Sequence, residues 1–136
     1  MKKVLWPLLL FLVSGCAGVA GAWGGDAKAY EGPVRPDSEL AVVMGSLARV
    51  GVFHSAIYAI DAKVYGDPVL MGFPGKGKML PGVHTVTVHC NTGRYTAKPT
   101  VRHDFLAGHY YEVTCGLQGK DTAIATVVDH GTKDPS

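Results

Sequence analysis

At 136 residues the chain has the length of one domain. Its formal charge of +2 comes from 13 Lys and Arg against 11 Asp and Glu, and Lys2 and Lys3 supply the whole excess. Beyond them the two signs balance, which argues against the basic footprint of a nucleic-acid or polyanion binder.

The N-terminus reads "MKKVLWPLLLFLVSGCAG". A positive pair is followed by an apolar run from Val4 to Val13, about ten residues long. That is the length of a signal-peptide core and about half of what spans a bilayer, so residues 1–15 are predicted to be a signal peptide. The small pair Ser14–Gly15 then precedes Cys16. The segment "LVSGC" resembles the lipobox of bacterial lipoproteins. The resemblance implies that Cys16 becomes the acylated first residue of the mature chain, anchored in the membrane by lipid. Ala17 stands where inner-membrane retention is associated with Asp, which implies the outer membrane of a Gram-negative host, facing the periplasm. The residues alone also fit an ordinary secretory signal with a chance cysteine.

Residues 16–37 are rich in Gly, Ala and Pro without a sustained period, so a flexible linker is predicted there, with Tyr30 packed on the domain edge. From Ser38 onward, short runs rich in Val, Ile, Thr and Tyr alternate with Gly, Pro, Asn and Asp. These runs are "ELAVVMG", "RVGVFHSAIYAI", "HTVTVHC", "YTAKPTVRHDF", "HYYEVTCGL" and "DTAIATVVD". Their spacing predicts an all-β domain over 38–136, a small antiparallel β-sandwich of immunoglobulin- or transthyretin-like type. "GFPGKGKM", from Gly72 to Met79, matches the first seven positions of a P-loop but has Met79 where the Mg²⁺-binding hydroxyl belongs. It is expected to be a flexible hairpin loop with solvated Lys76 and Lys78, and no nucleotide site is expected.

Period-two alternation puts His84, Val86, Val88 and Cys90 on one strand face, opposite Thr85, Thr87 and His89. It likewise groups His109, Tyr111, Val113 and Cys115. Both cysteines thus end apolar faces, and in an exported protein a Cys90–Cys115 disulfide is the natural pairing, with two buried free thiols as the alternative. A metal site built from His84, Cys90, His109 and Cys115 fails on distance. Six strand residues span about 20 Å, against metal–ligand bonds of about 2.0–2.3 Å. His103 and His109, with His130, are left as weak candidates for a surface metal site, and no cofactor is expected. Arg102–His103–Asp104 is expected to be a solvated turn. The chain has no G-x-S-x-G, H-E-x-x-H or S-x-x-K, and nothing singles out a carboxylate pair among Glu31, Glu39, Glu112 and eight Asp.

"YEGPVRPDSELAVV", "IYAIDAKV", "LPGVHTVTV" and "FLAGHYYEV" occur in that order. The set resembles small bacterial lipoproteins carrying Y-x-G-x-x-R-P, I-x-x-I-D and L-P-G-x-H-x-V segments, and "LPGVHTVTV" resembles the turn of PEGA-type surface repeats. Ala62 departs from the Gly usual after Asp61, which puts that hairpin's geometry in question. Pro81–Gly82 suits a type II turn with positive φ. The resemblance implies an envelope β-sandwich lipoprotein and brings no catalytic residues. The expected function is therefore a non-enzymatic binding or assembly role, with an envelope protein or a peptidoglycan-associated component as partner. A periplasmic metal or small-ligand binder and an inhibitor of a cell-wall hydrolase are the alternatives.

Overall fold

A computed structural model describes residues 25–46, 54–70, 72–92 and 94–136. Cys16 and Trp23 lie outside them. The β-branched and aromatic runs form the long strands, as their propensities dictate. In chain order the strands are β1 (Ala27–Lys28), β2 (Ala41–Met44), β3 (His54–Ile60), β4 (Lys63–Val64), β5 (Lys76–Met79), β6 (Gly82–Asn91), β7 (Thr96–Ala97), β8 (Thr100–Phe105), β9 (Tyr110–Gln118) and β10 (Thr122–Asp129). One sheet has the order β1-β5-β2-β9-β10; the other runs β4-β3-β6-β7, with β8 also paired to β6. The fold is a small β-sandwich, antiparallel except at β1/β5 and β2/β9.

The core lies between the sheets. Val43, Ile57, Ile60, Met79, Val86, Val88, Phe105, Tyr111 and Val113 are all buried there. Each fully buried apolar side chain of this size contributes about 1.5–3 kcal/mol. Ser55 is the polar exception, its hydroxyl donating to the Val113 carbonyl at 2.6 Å and accepting from the Ser46 amide at 2.7 Å. The bond stitches β3 of one sheet to β9 of the other. Cys90 and Cys115 make a second inter-sheet link, a disulfide with the Cα atoms 6.1 Å apart.

Two expectations change. The second half of "GFPGKGKM" is not a loop but strand β5, paired with β2 on one side and β1 on the other. Gly77 is there because an added Cβ would sit 2.6 Å from the Ile60 side chain and 3.0 Å from that of Val43. Neither lysine is free in solvent. Lys76 pairs with Asp134 at 2.6 Å, and Lys78 with Asp37 at 2.8 Å and Asp26 at 3.4 Å. Hydrogen bonds from Lys76 and Ser136 hold the Asp134 carboxyl down to about 2. The stretch 25–37, expected as linker, also carries β1, and the Arg35 amide donates to the Tyr30 hydroxyl at 3.0 Å.

The Asp61–Ala62 hairpin forms without glycine: both residues sit at positive φ, 49° and 65°, as a type I′ turn requires. Ala62 accepts a left-handed conformation that costs a non-glycine residue about 1–2 kcal/mol. Ala62→Gly is therefore expected to raise stability by about 1 kcal/mol, after the entropy glycine loses on folding. Thermal or urea unfolding checks it, and an unchanged midpoint would mean that the turn stores no strain. Gly82, the first residue of β6, has the expected positive φ, at 133°.

Candidate functional site

The strand directions gather His84, His103 and His109 at one end of the sandwich. β6 starts at that end and β8 finishes there, with His84 directly opposite His103. β9 starts and β10 finishes at the same end, with Asp129 opposite Tyr111. The shared platform is an edge-to-face pair, Phe105 and Tyr111, whose ring centroids are 4.9 Å apart at 87°. His84 lies 6.3 Å from Phe105. His103 contacts both rings, at 4.9 and 5.7 Å, and His109 stacks on Tyr111 at 6.1 Å. The Tyr111 hydroxyl accepts from the Leu106 amide five residues upstream at 2.8 Å, a corner bond of the kind β-sandwiches use to fix a strand start. Burial pushes the Tyr111 phenol above its usual range, the Leu106 bond opposes this, and Asp129 and Asp104 add to it.

Two carboxylates orient the outer histidines. His84 Nδ1 meets Asp61 Oδ2 at 2.5 Å and His84 Nε2 meets the Leu80 carbonyl at 2.6 Å. Both contacts are hydrogen bonds only when both ring nitrogens carry protons, because each partner is an acceptor. Asp61 also accepts from the Thr85 amide at 3.0 Å. Its partial burial, the largest single influence, favours the neutral acid, but the Thr85 and His84 bonds and the His84 charge together hold the carboxyl below its usual range. His109 Nδ1 lies 3.0 Å from Asp129 Oδ1. Burial again pushes Asp129 up, and the Gly131 amide, His109 and His103 outweigh it. The result is an end surface of imidazoles fixed by carboxylates, bordered by half-exposed Leu106 and Val83. It offers hydrogen-bond donors, acceptors and apolar contact to a partner.

The candidate metal residues His103 and His109 both lie on this platform, each against Tyr111. Among the described residues no group of three or more His, Cys, Asp or Glu is placed to hold an ion. Of Arg102, His103 and Asp104, expected as one solvated turn, only His103 faces inward. All three belong to β8, and the other two are on its exposed face. His130 sits 3.7 Å from Glu112.

The opposite end carries two clefts, of about 390 and 480 Å³. Tyr95 and Leu117 line the first, with Cys90 in its wall. Phe73 and His89 line the second. His89 is the surprise. Alternation puts it on the outer sheet face, yet it is only 5% exposed because Phe73 stacks over it at 5.1 Å. Burial, with a smaller contribution from the Lys98 charge, pushes its pKa below the ordinary 6.5. The folded state thus binds fewer protons than the unfolded one between the two values, so this site's stability is complete above about 6.5 and declines as pH falls. His89→Phe should flatten that part of a urea-midpoint profile between pH 7 and 5; a profile identical to wild type would show that His89 is not the group responsible.

Comparison with protein-family profiles, with characterised proteins and with solved structures finds no match to this chain.

Proposed function

We propose that this protein is a non-enzymatic lipoprotein of the bacterial outer membrane, acylated at Cys16, whose β-sandwich presents the His84–His103–His109 end as a binding surface for an envelope partner. The observation that carries the reading is the allocation of the cysteines. The chain has three, and the disulfide uses Cys90 and Cys115. The remaining one, Cys16, directly follows the apolar run and the small pair of a lipobox-like segment. A disulfide between the sheets also suits an exported protein. The binding role draws support from the fixed imidazole–carboxylate surface, since preorganised polar groups beside apolar ones lower the cost of association.

Cell fractionation tests the anchor. Wild-type protein is expected in the outer-membrane fraction and Cys16→Ala in the soluble one or retained as an unprocessed precursor. A Cys16→Ala chain that is still processed and still membrane-bound would overturn the reading. Partner binding is tested with His103→Ala and His109→Ala, which should reduce in-cell crosslinking from Leu106 to its partner while leaving fractionation unchanged.

A further inference from the structure

The described residues begin at the end opposite His84, His103 and His109. The Gly75 amide donates to the Gly25 carbonyl at 3.1 Å, and β1 and β5 leave that point side by side in parallel. The loop preceding Gly75 is closed by two backbone bonds between Asp67 and Gly72, at 2.7 and 3.0 Å. The Asp67 carboxylate accepts from the amides of Val69 and Leu70 at 2.9 and 3.2 Å. This well-bonded loop holds two consecutive apolar side chains in water, Val69 at 88% and Leu70 at 64% exposure. The β6–β7 connection and the β9–β10 turn lie at the same end by strand direction, and they add Tyr95 at 73% and Leu117 at 51%. Exposed apolar side chains gathered on one end of a domain mark an interaction surface, and a tyrosine among them suits a membrane interface.

We infer that this end docks on the lipid surface itself, with Val69 and Leu70 inserted at the headgroup–acyl boundary and Tyr95 and Leu117 beside them. The inference rests on the reading of Cys16 as acylated. Cys16 precedes Gly25 by nine residues, a reach of at most about 30 Å, which is also about the length of the ten-residue strand β6. The tether to Cys16 therefore starts from the end that bears the apolar loop, and with that end on the bilayer the histidine end points away. The charges at the docking end include both Lys120 and Asp121 at the β9–β10 turn, and the chain beyond Lys3 is neutral overall. Attachment thus comes from apolar insertion and needs no anionic lipid.

The test uses full-length, acylated protein in vesicles of zwitterionic lipid with brominated acyl chains. Trp23→Phe removes the other tryptophan that follows Cys16, and Leu70→Trp or, at the histidine end, Leu106→Trp provides the reporter. Leu70→Trp is expected to lose most of its emission to bromine quenching, equally with and without added phosphatidylglycerol, and Leu106→Trp to keep its emission. Equal, weak quenching of both reporters in vesicle-bound protein would overturn the docking while leaving the lipid anchor intact, and quenching of Leu106→Trp alone would reverse the orientation and overturn it too. Intact mass measured on the same sample shows whether Cys16 is acylated; an unacylated chain would remove the anchor reading and the docking with it.

Discussion

Cys90→Ser and Cys115→Ser are each expected to lower stability by about 3–4 kcal/mol, and the double variant by no more than either alone. The bond closes a loop of 25 residues between two strands on different sheets, and the magnitude follows from the chain entropy such a loop removes from the unfolded state. Non-additivity follows because each substitution breaks the same bond. The site has little room to compensate, since Cys90 is 1% exposed and its cross-strand partner Ser55 is itself tied to Val113 on the strand of Cys115. Urea unfolding of the two single variants and the double one gives the answer. Additive losses would mean that each cysteine contributes by packing as a separate thiol.

Phe105→Ala is expected to cost about 3–5 kcal/mol, the range for removing a buried aromatic ring and leaving a cavity. The ring is fully buried and touches His84, His103 and Tyr111. The loss should therefore also free the histidines, visible as collapse of their distinct imidazole proton resonances toward random-coil values. Leu106→Ala, one residue on but half exposed, should change stability by less than about 0.5 kcal/mol. Equal effects at the two positions would contradict the placement of the platform.

Much of the fold was legible because its long strands follow their own pattern. In β6 and β9 the alternating apolar positions Val86, Val88, Tyr111 and Val113 are the buried ones, and the same alternation pointed Cys90 and Cys115 inward toward each other. β5 escaped because Lys-Gly-Lys-Met has little strand propensity. It is a strand through its neighbours, with Gly77 allowing Ile60 and Val43 to close over it and two flanking strands satisfying its backbone. β1 escaped for the same reason. His89 shows another limit: period two gives the direction of a side chain, but only the chain's path brings Phe73 over it. The histidine end was half legible. Alternation groups His84 and His109 each with its own strand, but it takes β8 pairing with β6 to set His103 opposite His84. The carboxylates Asp61 and Asp129 come from a hairpin and a strand end that no local spacing links to them.

The parts make one arrangement. In the proposed arrangement a lipid on Cys16 and the Val69–Leu70 loop would hold one end of the sandwich at the bilayer, while the disulfide links the two sheets. The imidazole–carboxylate end, carried on Phe105 and Tyr111, would then face away from the bilayer. Every functional element of that arrangement depends on the fate of Cys16. The most direct measurement is the intact mass and N-terminal residue of the protein extracted from its native cells. The account requires a chain beginning at Cys16 and carrying the added mass of fatty-acyl groups, whereas an unmodified chain, or one cleaved so that Cys16 is internal or lost, would contradict it.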